Sequence, residues 1–85
     1  MARAQQQFKP DTALLKAISK TIKQLRRENS FSQIKYADLC KIHWRTVQRV
    51  EKESPNISIG LFARLAEGFN ISPDKLMLLA LSNIK

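Results

Sequence analysis

Residues 44–49 read Trp-Arg-Thr-Val-Gln-Arg, and the single tryptophan of the chain stands among them. An arginine guanidinium can grip guanine O6 and N7 through two hydrogen bonds. A glutamine amide can pair with adenine, and an aromatic ring can lie on a thymine methyl or a sugar. If this stretch is helical, Val47 and Val50 share a face and turn to the core, leaving Trp44, Arg45, Gln48 and Arg49 outward. Such a face carries the donors and planes needed to read base-pair edges. Two plainer readings compete with it. Trp44 could cover the margin of a core, because large aromatics are usually mostly buried, and the arginines could form a solvated face.

The rest of the chain offers little chemistry. With one histidine, His43, no Ser-His-Asp arrangement can form, and no paired-carboxylate arrangement is apparent, so catalysis is not expected. A zinc site wants about three or four ligands, and Cys40 is the only plausible neighbour of His43, so neither a metal nor another cofactor is implied. Cys40 shares a helical face with Tyr36 and reads as a small buried hydrophobe. It cannot form an internal disulfide. Fifteen Lys and Arg against seven Asp and Glu leave a net charge of +8, with a sequence pI near 10.2. That balance favours an anionic partner, a nucleic acid or an acidic membrane surface. The longest apolar run, Leu76 to Leu81, falls far short of the roughly 20 residues of a membrane span. The first ten residues, MARAQQQFKP, have no apolar stretch for a signal peptide. A soluble cytoplasmic protein of one domain is expected, with no membrane partner and no small-molecule ligand.

Something must hold the 44–49 face in place, and the helical period supplies it. Residues 1–10 read as a mobile N-terminal arm. Pro10-Asp11 then opens a helix whose inner face is Leu14, Ile18, Ile22 and Leu25 and whose outer face carries Lys16, Lys20, Lys23 and Arg27. The outer stripe reads as solvated. Asn29-Ser30 ends this helix, and Ser32 is a natural N-cap for the next. Ile42-His43 breaks the pattern again, and Ser54-Pro55-Asn56 is a loop. Ser58 can cap a helix holding Ile59, Phe62, Leu65 and Ala66, which stops near Gly68 to Asn70. Ser72-Pro73 is a further cap with Pro at the first helical position. No segment alternates with period two. The expectation is an all-α, compact five-helix bundle.

A helix of about eight residues, a turn of about three and a second helix match the helix-turn-helix pattern, whose second helix enters the DNA major groove. Small Ala37 lies where the two helices should touch, and Ile42 joins Val47 and Val50 facing the core. The match extends further. Ile22-x-x-Leu25-Arg26, Ser32-Gln33-x-x-Tyr36-Ala37, Thr46-Val47-x-Arg49-Val50-Glu51 and Leu65-Ala66-x-x-Phe69-Asn70-Ile71-Ser72-Pro73-Asp74-x-Leu76 run in order without a gap. In this pattern residues 14–79 resemble the Cro and phage-repressor (XRE-type) helix-turn-helix family, with its lambda repressor-like fold. The chain is similar in extent to restriction-modification controller proteins and small phage repressors, which are bacterial or phage-encoded.

The resemblance implies a sequence-specific regulator of transcription that binds a palindromic operator in double-stranded DNA as a homodimer. It places Trp44, Arg45 and Arg49 on base-reading positions with Gln48 beside them. It gives Gln33, Arg26, His43, Thr46 and Lys52 to the DNA backbone, with Gln33 reaching a phosphate from a helix N-terminus, and it joins Arg26 to Glu51 in a salt bridge. The chain departs from the family in three places. Lys41 stands where a turn glycine is usual, Glu53-Ser54-Pro55-Asn56 lacks the basic residues that often follow the reading helix, and His43 replaces the usual Ser or Thr cap, which is expected to weaken the helix start. Residues 11–85 are expected to form one DNA-binding domain with a C-terminal dimerisation helix. There Leu76, Leu79 and Ala80 close the core, while Met77, Leu78, Leu81 and Ile84 form an apolar patch for a second copy. The competing function is an antitoxin or protein-interaction adaptor on the same fold.

Overall fold

Short polar side chains close the first turns of three helices. Asp11 Oδ1 accepts from the Leu14 amide at 3.0 Å, Ser32 Oγ from Lys35 at 2.9 Å and Ser58 Oγ from Leu61 at 3.0 Å. The computed structural model describes residues 11–84; the segment 1–10, expected to be a mobile arm, and Lys85 lie outside the described residues. The helices are α1 (Thr12–Glu28), α2 (Gln33–Cys40), α3 (Trp44–Glu53), α4 (Ile59–Glu67) and α5 (Pro73–Leu81). No strand occurs among the described residues, and the all-α five-helix expectation holds. Ser72 precedes α5 in an extended conformation but makes no side-chain cap bond. Pro73 lacks one of the amide hydrogens that a cap would otherwise satisfy.

α1 packs against α3 and α5, α2 against α3 and α4, and α4 against α5. Ile18, Ile22, Val47, Val50, Leu65, Leu76 and Ala80 fill the centre, with Leu14, Leu25 and Ile42 closing its edges. Tyr36 threads this core. Its hydroxyl donates to the Leu65 carbonyl at 2.6 Å, and its ring stacks on Phe69 at 4.4 Å between centroids. Cys40 is buried beside it, and burial pushes its thiol up to about 11. Gly68 seals the same spot: a Cβ there would collide with Cys40 Sγ and the Tyr36 ring.

One expected core position, Leu79, is not in the core, and Ile59 of α4 lies outside it as well. Ile59, the first residue of α4, is 88% exposed at the cleft that Phe62 also lines, although it shares a helical face with Phe62 and Ala66. Leu79 is only partly buried. It lines a shallow notch with Thr21, Leu25 and Asn83, where the Asn83 amide donates to Thr21 Oγ1 at 2.5 Å. Leu76 and Ala80 alone bring α5 into the centre.

Candidate nucleic-acid interface

The α2–turn–α3 unit is set by backbone bonds and one small residue. Ala37, buried, lets the two helices approach closely. Lys41 takes the left-handed conformation, φ 61° and ψ 42°, and its amide and that of Ile42 return to Asp38 and Ala37 carbonyls, each at 3.1 Å. The turn therefore keeps its form without glycine. His43 supplies the next cap: its Nδ1 accepts from the Arg45 amide at 3.0 Å. This corrects the expectation of a weakened helix start, since the imidazole nitrogen takes the place of a Ser or Thr oxygen. Val47 and Val50 point into the core. The Ser19 hydroxyl donates to the Val50 carbonyl at 2.7 Å, tying the end of α3 to α1.

These fixtures turn one face of α3 outward. Trp44, Arg45, Gln48, Arg49 and Lys52 are all exposed, and Thr46 is partly buried. Trp44 lies near the rings and charges of its neighbours, 6.0 Å from the His43 ring and 5.4 Å from the Arg45 guanidinium carbon. A guanidinium at that distance is attracted by the indole face. Arg49 Nε is 3.7 Å from Glu53; so exposed a pair contributes little stability. Trp44 as a residue is 36% exposed, a value that both the reading-face and the core-cover readings allow.

Beneath this face lies a compact ionic lock. Arg26 Nε donates to Glu51 Oε2 at 2.6 Å and its Nη2 to Oε1 at 3.0 Å, while Nη1 donates to the Phe31 carbonyl at 2.8 Å. The side chains are 11% and 3% exposed. The hydrogen bond to Glu51 raises the Arg26 pKa, outweighing the opposite effect of burial. Gln33 Nε2 also donates to Glu51 Oε1, at 3.1 Å. Gln33, expected to reach a phosphate, is thus held by Glu51, with one amide hydrogen and its carbonyl oxygen still available. α1, the start of α2 and the end of α3 meet at one carboxylate.

Beside the lock opens a notch of about 300 Å³, lined by Lys23, Arg27, Gln48 and Lys52 together with Arg26, Gln33 and Glu51. Lys23 and Arg27 are the residues that the sequence left in a solvated stripe. Their steps of three and one from Arg26 were the available signal, since they flank a residue already aimed at α3. On the opposite flank, Leu78 and Leu81 are 65% and 48% exposed, and Ile84 is exposed as well. Met77 differs from them. It is partly buried against the core and lines an apolar cleft of about 240 Å³ with Leu14, Ile18, Ile57, Ile59 and Phe62. Among the described residues no group of three or more His, Cys, Asp or Glu could hold a metal ion, and no helix is long and apolar enough to cross a membrane.

Solved structures share this architecture. The wild-type restriction-modification controller protein C.Esp1396I is 22% identical, with a TM-score of 0.76 over 84% of this chain and 91% of that one. C.Esp1396I bound to a 25 base pair operator site gives a TM-score of 0.78 at 22% identity, covering 93% of this chain and 97% of that chain. A single-residue variant of it bound to its highest affinity operator site gives 0.80 at 22% identity, over 87% and 97%. No curated protein matches the sequence significantly. Residues 22–76, more than half of the chain, match the sequence profile of the helix-turn-helix family. The chain belongs to that family, in the XRE-type branch that its sequence resembles.

Proposed function

We propose that the chain is a sequence-specific regulator of transcription that binds double-stranded operator DNA as a homodimer. The observation that carries this is the outward face of α3: Trp44, Arg45, Gln48 and Arg49 stand exposed on a helix whose inner side is fixed by Val47, Val50 and the Arg26–Glu51–Gln33 lock. A reading helix needs this combination, since its donors must meet base edges in one register. Trp44, Arg45, Gln48 and Arg49 read bases; Gln33, Arg26, His43, Thr46 and Lys52 serve the backbone. The family is one of DNA-binding regulators and not of enzymes. The likeness to a controller protein solved on its operator agrees with this reading.

The homodimer reading is supported by Leu78, Leu81 and Ile84, apolar side chains that a lone monomer leaves in water. An isologous interface there would set two reading helices about 34 Å apart, one turn of DNA, and require a palindromic site. A restriction-modification controller is the finer form of this reading. The test is selection of duplexes from a random-sequence pool, followed by gel-shift titration. An enriched palindromic site bound far more tightly than its scrambled version is the expected result; no enrichment would leave the adaptor reading in its place.

A further inference from the structure

The cations outside the reading helix are unevenly spread. The loop after α3, residues 54–58, holds no Lys or Arg, so the loop itself offers DNA no cationic grip. The other side is the reverse. Lys23 and Arg27 of α1 face Gln48 and Lys52 of α3 across the notch, and a second, shallower groove lies along α1 between Lys20 and Glu28. None of Lys20, Lys23, Arg27 and Lys52 has a carboxylate within ion-pair distance among the described residues. The one acid in the notch, Glu51, has both oxygens taken by Arg26 and Gln33. Glu28, the acid of the shallower groove, already accepts from Gln24 at 3.2 Å. A neutral amide leaves the Glu28 charge in place, but the notch itself holds Lys23, Arg27 and Lys52 beside one acid that Arg26 already matches.

We infer that the outer face of α1 is a second DNA-backbone grip: Lys23 and Arg27, with Lys52 across the notch and Lys20 one turn further on, hold phosphates flanking the bases that α3 reads. This inference rests on the DNA-binding reading above. It adds Lys20, Lys23 and Arg27 of α1 to the backbone contacts already given to Gln33, Arg26, His43, Thr46 and Lys52, while the loop after α3 supplies no cation. Lys20 to Arg27 spans about 10 Å at 1.5 Å per residue. That is enough for successive phosphates, which advance about 3.4 Å along the duplex axis per strand. A plainer role exists for Arg27, which lies in the last turn of α1 and offsets the helix dipole. A dipole role would move the melting temperature and leave DNA binding alone.

Salt titration separates the two. Binding of the full chain to a selected duplex and to its scrambled version is measured across ionic strengths. Every cation that neutralises a phosphate adds about 0.9 to the steepness of log K against log salt. K23Q/R27Q removes two cations from each protomer and four from the dimer, so it should lower the slope by about 3.6 on both duplexes with little change in melting temperature, and adding K20Q should lower it again. K23R/R27K, which keeps the charge, should hold the parent slope, as should K75Q on α5, which lines neither groove. A parent-like slope in K23Q/R27Q overturns the grip while the parent still binds the selected site. A parent that binds neither duplex overturns the DNA-binding reading beneath it.

Discussion

The two flanks of this molecule are finished to different degrees. The α2–α3 flank is over-determined: three helices meet at Glu51, the Ser19 hydroxyl pins the Val50 carbonyl, and His43 caps the helix that carries the polar face. The α5 flank is tied to α1 by the Asn83 amide on Thr21 Oγ1, and its outer side is apolar. Leu78, Leu81 and Ile84 face solvent there, and Ile59 stands exposed at the rim of an apolar cleft. A polar reading face must be rigid before it meets its partner, since a misplaced donor loses its hydrogen bond. An apolar face can wait for its partner, because hydrophobic burial is not directional. Under the proposed function, the contrast fits specificity on one flank and assembly on the other.

The largest blow to the comparison would be struck at Glu51. Glu51→Gln leaves the Arg26 charge buried without its counter-ion, a loss of about 3–5 kcal/mol. For a chain of this size that lowers the melting temperature by roughly 15 °C or more. An unchanged melting temperature would reduce the lock to two ordinary surface charges. Next in size, Leu81→Glu should turn dimers into monomers in sedimentation at micromolar concentration and keep the fold. Losing the second reading helix should weaken operator binding by roughly a hundredfold. A parent protein that sediments as a monomer would remove the assembly role from α5.

A smaller effect tests the reading face itself. Arg45→Ala and Arg49→Ala should each cost about 1–3 kcal/mol of binding to the selected site and relax preference at one position. Gln33→Ala should instead weaken all duplexes by similar amounts, with a modest loss of stability from its bond to Glu51. Trp44→Ala should lower affinity at an unchanged melting temperature. Parent-like gel shifts for both arginine variants would move recognition off α3.

The same contrast explains what the sequence could reveal. Helix order, the eight-residue α2 and the inward turn of Val47 and Val50 follow from a 3.6-residue period, which local residue types carry. Ile59 obeyed that period and is still exposed, because periodicity gives a direction but not where the core ends. Leu79 was placed inward for the same reason. The His43 cap and the Gln33 bond to Glu51 depend on rotamers and on partners far along the chain, which spacing does not encode. Lys23 and Arg27 looked like any solvated stripe until α3 was placed across from them.

The smallest expected effect concerns the joint between the two helices of the reading unit. Lys41 holds φ 61° with a side chain, and a left-handed residue other than glycine costs roughly 1–2 kcal/mol. Its ammonium lies 3.6 Å from Glu67, with both side chains more than half exposed, so that pair contributes little. Lys41→Gly changes both features at once, and it also frees the unfolded chain, which opposes the gain by about 0.4–1 kcal/mol. Lys41→Ala removes the ion pair but keeps the strained backbone. The difference between the two variants isolates the backbone. Gly should melt higher than Ala by about 1 kcal/mol in stability, with Ala slightly below the parent. DNA affinity should be the same for both, because the turn keeps its form in either. If Gly and Ala melted together, the strain of the left-handed turn would be no larger than the loss of about 0.4–1 kcal/mol through the freed unfolded chain.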